Sequence, residues 1–173
     1  ASPSASTTAP QGIYDWLIAA KAEGCPSIRF VAPVTMTSTE VPNLVDFLFG
    51  GSGTTYGAKR IALGHTASFA NDFTKITIDY GNELWNSAAG DEGMPMYTCG
   101  GNECWNGVVL SIQFCAAAKA DSNWPANAKC GATMWTANWG GTNQVLAQWD
   151  TGDSVDVAEN NEYGQFDVSD FSG

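Results

Sequence analysis

The sequence predicts an α/β fold with parallel strands, and three observations carry that prediction. A helical apolar period over residues 13–23 is followed by a strand-like run at 27–34. A second helical period over 41–49 precedes the alternating run Ile76-Thr77-Ile78-Asp79-Tyr80. Helix and strand thus alternate, as they do where helices cover a mostly parallel sheet. An all-β sandwich is the alternative, because 76–80, 108–114 and 155–158 all read as short strands.

Each element has a local reason. Ile13, Trp16, Leu17 and Ala20 fall on one helical face, and Gly24 ends that helix. Ile28, Phe30 and Val31 make the first strand apolar. Thr37-Ser38-Thr39-Glu40 supplies helix-start chemistry, and Pro42 fits a first turn. Val41, Leu44, Val45 and Leu48 form the next stripe, stopped by Gly50 and Gly51. Residues 50–74 make a long connection, of a kind that is often functional or holds a short helix of its own. A second long, polar loop covers 87–106. Val108–Lys119 reads as a helix, Ala132–Trp135 as a short strand and Val145–Trp149 as one or two helical turns. Ser154–Ala158 reads as a further strand, leading to Glu159, Asn160, Asn161, Glu162 and Tyr163.

Composition narrows the class of function. The chain has 173 residues, enough for one domain with a real core. Hydrophobic residues make up 44%, which argues against bulk disorder. A net charge of −11 with seven Lys and Arg leaves no basic patch of useful size. Nucleic acid and anionic membrane surfaces are therefore poor partners. No apolar run is long enough for a membrane span. Residues 1–10 are rich in Ser, Thr and Pro and read as a linker or processed N-terminus, with one domain at 11–173. The low pI and sparse charge suit a secreted, extracellular protein. Five cysteines, at 25, 99, 104, 115 and 130, suggest disulfides in an oxidising compartment. Cys99–Cys104 and Cys115–Cys130 are the expected pairs, with Cys25 a buried free thiol. Structural zinc is disfavoured because His65 is the only histidine. No cofactor or metal is expected.

The chemistry concentrates at the end of the run 76–80. Gly81 permits a sharp exit from the strand. Asn82 and Glu83 follow it. A carboxyl in a partly apolar pocket there holds its proton long enough to deliver it to a leaving group. Asn82 can hydrogen-bond a hydroxyl, and Trp85 offers a flat face to a sugar ring. The hexapeptide 81–86 recurs at 101–106 as Gly101-Asn102-Glu103-Cys104-Trp105-Asn106. That copy lacks a β-branched strand before it and is read as a loop.

A strand ending in Asn-Glu resembles the fourth strand of the clan A glycoside hydrolases. Upstream lie Asn43-Leu44-Val45-Asp46-Phe47-Leu48-Phe49-Gly50-Gly51, Thr55-Tyr56-Gly57, Arg60 and Gly64-His65. This ordered set is similar to the third-helix region of α-L-arabinofuranosidases and their relatives, families 51 and 39. The likeness covers residues 11–90 and runs on weakly to Tyr163. It implies a partial (β/α)8-barrel, strands three to six, in a chain shorter than the roughly 250 residues of a whole barrel. It implies cleavage of plant or microbial polysaccharide, with Glu83 as general acid/base and Asn82 on the 2-hydroxyl of the sugar. His65 and Tyr163 join Trp85 as implied substrate contacts. A second carboxyl is also needed, about 5–5.5 Å away for retention or 6.5–9.5 Å for inversion. The family's nucleophile ends the seventh strand, beyond the match. Glu162 or Glu159 is the substitute that this chain offers, and a second chain or further segment would complete the barrel. The rival function is a non-catalytic carbohydrate-binding module stacking sugars on Trp85, Trp105, Trp135 and Trp139.

Overall fold

The computed structural model describes residues 12–33, 36–37, 39–81, 104–134, 155–160 and 164–167. Helix α1 (Ile13–Ala22) leads to strand β1 (Ser27–Ala32). Helices α2 (Glu40–Phe49) and α3 (Thr55–Ala62) and a 3-10 turn (Phe69–Asn71) precede β2 (Lys75–Tyr80). Then come α4 (Cys104–Lys119), β3 (Ala128–Met134), β4 (Val157–Asn160) and β5 (Gly164–Asp167). The five strands form one sheet in chain order. β1, β2, β3 and β4 run parallel, and β5 returns antiparallel beside β4.

The parallel pairing of β1 with β2 settles the fold class as mixed α/β and excludes the sandwich alternative. Even-numbered residues of the first strands face the helices. Phe30 meets Trp16 of α1 edge-on, and Tyr80 packs on Phe114 of α4. Cys130 of β3 is joined to Cys115 of α4, with Cα atoms 5.5 Å apart. Leu17, Val41, Val45, Leu48, Ile76 and Ile78 fill the layer between. The apolar stripes read from periodicity are thus the core.

The helix ends follow from their sequences. Gly24, at φ 71°, stops α1 in the left-handed region that favours glycine. Before α2, Glu40 reaches back to accept from the backbone N–H and the hydroxyl of Thr37, both at 2.7 Å. Thr54 caps α3 by accepting from Gly57 N–H. Arg60 is buried and donates to the carbonyls of Phe47 (2.8 Å) and Gly50 (2.6 Å). It thereby satisfies the end of α2 and clamps α3 to it. Gly57 has no alternative here, since a Cβ would stand 2.3 Å from the Gly51 carbonyl.

Several boundaries and one element differ from the sequence reading. α3 occupies part of the connection at 50–74, whose helix has too short an apolar stripe to stand out. α4 begins at Cys104, so Cys104-Trp105-Asn106 of the repeated hexapeptide are helical rather than loop. β3 starts at Ala128, four residues before the expected strand. Glu159 lies inside β4, level with Thr133 and Gln165, rather than beyond it. Backbone pairing continues past the apolar Val155–Ala158 because a ladder needs N–H and C=O groups, not apolar side chains. β5 was not foreseen, for the same reason. Cys25 is free but only partly buried. Residues 1–10, the turns expected at 145–149 and the Cys99–Cys104 pair lie outside the described residues.

The Cys115–Cys130 bridge closes a loop of sequence separation 15 and ties α4 to β3. Replacing both cysteines with alanine should cost about 3 kcal/mol on the chain-entropy model. Urea unfolding of the double variant should show a lower midpoint. An unchanged midpoint would mean that packing alone holds α4 in place.

Candidate functional site

β2 stands between β1 and β3, and its residues after Lys75 are buried on both faces. Such burial is normal for an inner strand of a parallel sheet. Ile76, Ile78 and Tyr80 serve the helix side, leaving Thr77 and Asp79 on the other. At the strand end Gly81 N–H donates to the Ala32 carbonyl at 2.9 Å, extending the pairing by one bond. Its φ of 68° then turns the chain away. A side chain would be strained at that angle.

Asn82, Glu83 and Trp85 follow this turn directly and lie outside the described residues. So do Glu162 and Tyr163, in the three-residue connection between Asn160 of β4 and Gly164 of β5. The described strand ends leading to both groups stand at the same end of the sheet. Tyr80 is level with Ala132, and Ala132 with Ala158. One strand separates β2 from β4, so their axes are about 9.6 Å apart.

Two charged residues not singled out in the sequence meet on the inner face of this strand pair. Arg29 Nε of β1 donates to Asp79 Oδ2 of β2. Asp79 is wholly buried, while the Arg29 side chain keeps 28% of its exposure. Arg29 is level with Thr77 and Val31 with Asp79, so the guanidinium reaches two residues toward the strand end. Burial pushes the Asp79 carboxyl up from its ordinary range, against the pull of Arg29. Oδ1 of Asp79 has no hydrogen-bond partner among the described residues. The signal was present in the sequence, since Asp79 and Arg29 are single charges inside runs that read as buried strands.

His65 is held at the opposite end of β2. It is 7% exposed and stacks on Phe69, with ring centroids 4.4 Å apart. Its Nε2 lies 2.8 Å from Asp72 Oδ2, and Asp72 Oδ1 lies 2.7 Å from Lys21 Nζ. Its carbonyl accepts from Arg60 Nε. Asp72 precedes the first residue of β2 by three positions, whereas Asn82 follows the last by two. The structure therefore brings His65 together with Asp72, Phe69 and Arg60. Burial lowers the imidazole pKa below its usual 6.5, with Asp72 opposing the shift.

A groove of about 700 Å³ opens elsewhere, on the helix side between α1, α2 and α3. Both of its charged side chains are engaged: Glu40 by Thr37, and Lys59 over the Tyr56 ring at 4.0 Å. Among the described residues no group of three or more His, Cys, Asp or Glu is placed to hold a metal ion. No helix among them is long and apolar enough to cross a membrane.

The depressed His65 pKa sets a pH dependence. The unfolded chain binds the proton more readily, so stability from this group is complete above about pH 6.5 and falls as the pH drops below it. A His65→Gln variant should lose stability less steeply than the parent between pH 6.5 and 5 in thermal unfolding. Parallel curves for the two would contradict the burial of a neutral imidazole.

The sequence matches no protein-family model. It matches no curated protein either. The fold is similar to part of a solved structure, the alpha-L-arabinofuranosidase from Thermotoga maritima in complex with arabinose. The TM-score is 0.60 at 18% sequence identity, over 86% of this chain and 27% of that one. At that identity the likeness is one of fold, and the chain spans about a quarter of the length of the protein it resembles.

Proposed function

We propose that this chain is part of a secreted glycoside hydrolase acting on plant or microbial polysaccharide, with Glu83 as its general acid/base. One observation carries the reading. A parallel strand buried on both faces ends at Gly81, and Asn82-Glu83 follow immediately. In parallel barrels the chemistry sits at the C-terminal ends of the strands. The fold likeness to an arabinofuranosidase supports reading β1 to β4 as the third to sixth strands of such a barrel. The antiparallel β5 is a departure from that pattern. A further segment or a second chain would complete the barrel.

In this reading Asn82 hydrogen-bonds a sugar hydroxyl, and Trp85 and Tyr163 bound the cleft. Glu162 is the second carboxylate that the chain itself offers. To serve, its carboxyl would have to stand about 5–9.5 Å from that of Glu83. His65 takes a structural role, because it is buried against Asp72 at the far end of β2. Neutral carbohydrate suits a chain of net charge −11 better than an anionic substrate does.

The test is turnover of a panel of aryl glycosides that includes an arabinofuranoside. The 173-residue chain should turn over poorly, because Glu162 must stand in for the family's nucleophile. Glu83→Gln should lower whatever rate is seen by about 100-fold or more, the scale of a lost general acid. A Glu83→Gln chain as active as the parent would overturn the assignment.

A further inference from the structure

We propose that His65, Asp72 and Lys21 form a proton-operated latch at the N-terminal end of β2. With His65 neutral the latch holds the connection between α3 and β2 closed, and protonation of the ring releases it while the sheet stays folded. The latch does not depend on any carbohydrate chemistry. Its members come from three places in the chain. Lys21 lies in the last turn of α1, His65 follows α3, and Asp72 ends the 3-10 turn before β2. Asp72 Oδ1 meets Lys21 Nζ at 2.7 Å, and Oδ2 stands 2.8 Å from His65 Nε2. The side chains of Asp72 and His65 keep only 8% and 9% of their exposure. One carboxylate thus ties α1, the connection and the approach to β2 together.

Charge counting decides which state of the ring fits. The charged groups that face it are Lys21 from α1, Arg60 from α3 and Asp72. Tyr14 of α1 is a further titratable neighbour: its ring meets Phe69 edge-on at 6.3 Å, and its hydroxyl donates to the Leu63 carbonyl. Arg60 directs its guanidinium at backbone carbonyls, those of His65, Phe47 and Gly50. Asp72 is the one carboxylate facing the ring among the described residues, and Lys21 already shares it. A neutral ring leaves two cations to one anion. A protonated ring makes three cations to one anion around a side chain nine-tenths out of water, where unbalanced charge is costly. Burial, Lys21 and Arg60 accordingly lower the imidazole pKa, and Asp72 opposes them without prevailing. The ring released to water binds the proton more readily, so opening gains on closing as the pH drops below about 6.5.

The local architecture lets the ring leave without the sheet. Gly64 and Thr66, on either side of His65, are exposed. The ring stacks on Phe69, which begins the 3-10 turn. That turn is held by Asn71 N–H on the Ser68 carbonyl and Asp72 N–H on the Phe69 carbonyl, both at 3.0 Å. Asn127 adds one amide bond to the Ala70 carbonyl. β2 by contrast is held by ladders on both sides. Segments with few, local bonds open at lower free energy than inner strands.

His65 is the only histidine, so a single imidazole titration by NMR follows the latch in the full chain. Amide exchange supplies the second readout, as protection at Asn71 and Asp72 compared with Ile76 of β2, corrected for the intrinsic pH dependence of exchange. The ring should titrate below its ordinary value of about 6.5. Between pH 7 and 5, protection at Asn71 and Asp72 should fall by about 3- to 25-fold, the upper figure being the ceiling for an ordinary imidazole protonated only when open. Ile76 should keep its protection. His65→Gln should hold Asn71 and Asp72 constant over the same range. Lys21→Met removes one cation, so its ring should titrate higher than the parent's and its protection should fall less steeply. A parent ring titrating above 6.5 would mean that acid tightens the contact with Asp72, which overturns the proposal. Protection that falls equally at Ile76, or equally in His65→Gln, would overturn it too. Should His65→Gln fail to fold, a Lys21→Met chain with the parent's titration and the parent's loss of protection would be as decisive against it.

Discussion

Burial of β2 on both faces is the constraint on which the rest of this structure depends. A strand in that position must have every backbone group paired and every polar side chain answered. The backbone is answered by parallel ladders to β1 and β3. Ile76, Ile78 and Tyr80 are answered by the helix layer. Asp79 is answered at one oxygen, by Arg29 on Oδ2, while Oδ1 has no hydrogen-bond partner among the described residues. The pairing reaches Gly81, whose N–H donates to the Ala32 carbonyl and whose φ is positive.

The two ends of the sheet do different work. The N-terminal end is densely tied. Thr74 donates to the Pro26 carbonyl at 2.7 Å from both N–H and hydroxyl. Asn127 donates to the carbonyls of Ala70 and Phe73. The Lys21–Asp72–His65 chain of contacts lies on the same side. Asp156 adds a further tie, accepting from Cys130 N–H with one oxygen and meeting Lys119 with the other. The C-terminal end instead leads from Gly81 and Asn160 into the segments that carry Asn82, Glu83, Glu162 and Tyr163. With the proposed chemistry placed at the C-terminal end, the ties at the N-terminal end match the division expected of a parallel β/α layout.

Much of this was legible in the sequence, for physical reasons that differ by element. α1, α2 and β2 have apolar periods long enough to declare themselves, and their observed limits lie within three residues of the expected ones. The Cys115–Cys130 bridge is one of the two pairs expected, though the count of cysteines alone leaves other pairings open. A short helix was allowed for in the connection 50–74, but the bounds of α3 were not legible, because its stability comes from Arg60 reaching two carbonyls of α2, a tertiary contact with no periodic trace. β5 was hidden because four residues paired at a sheet edge carry little pattern. The motifs that suggested a family proved to be of two kinds. Gly57, Arg60 and His65 are explained by close packing and hydrogen bonding. Gly81 is explained by the turn it makes before Asn82 and Glu83. Asp79 and Arg29 were visible as lone charges in apolar runs, yet their pairing required the register of β1 on β2.

The central claim is that the end of β2 is where this protein meets carbohydrate. Backbone amide mapping by NMR, with plant-polysaccharide oligosaccharides titrated into the full chain, tests it most directly. The account predicts saturable shifts concentrated at Gly81 to Asn86, with Asp72, His65 and the outer groove at Leu44 and Leu63 unmoved. Saturable shifts confined to that groove, or to the His65 end of β2, would contradict it.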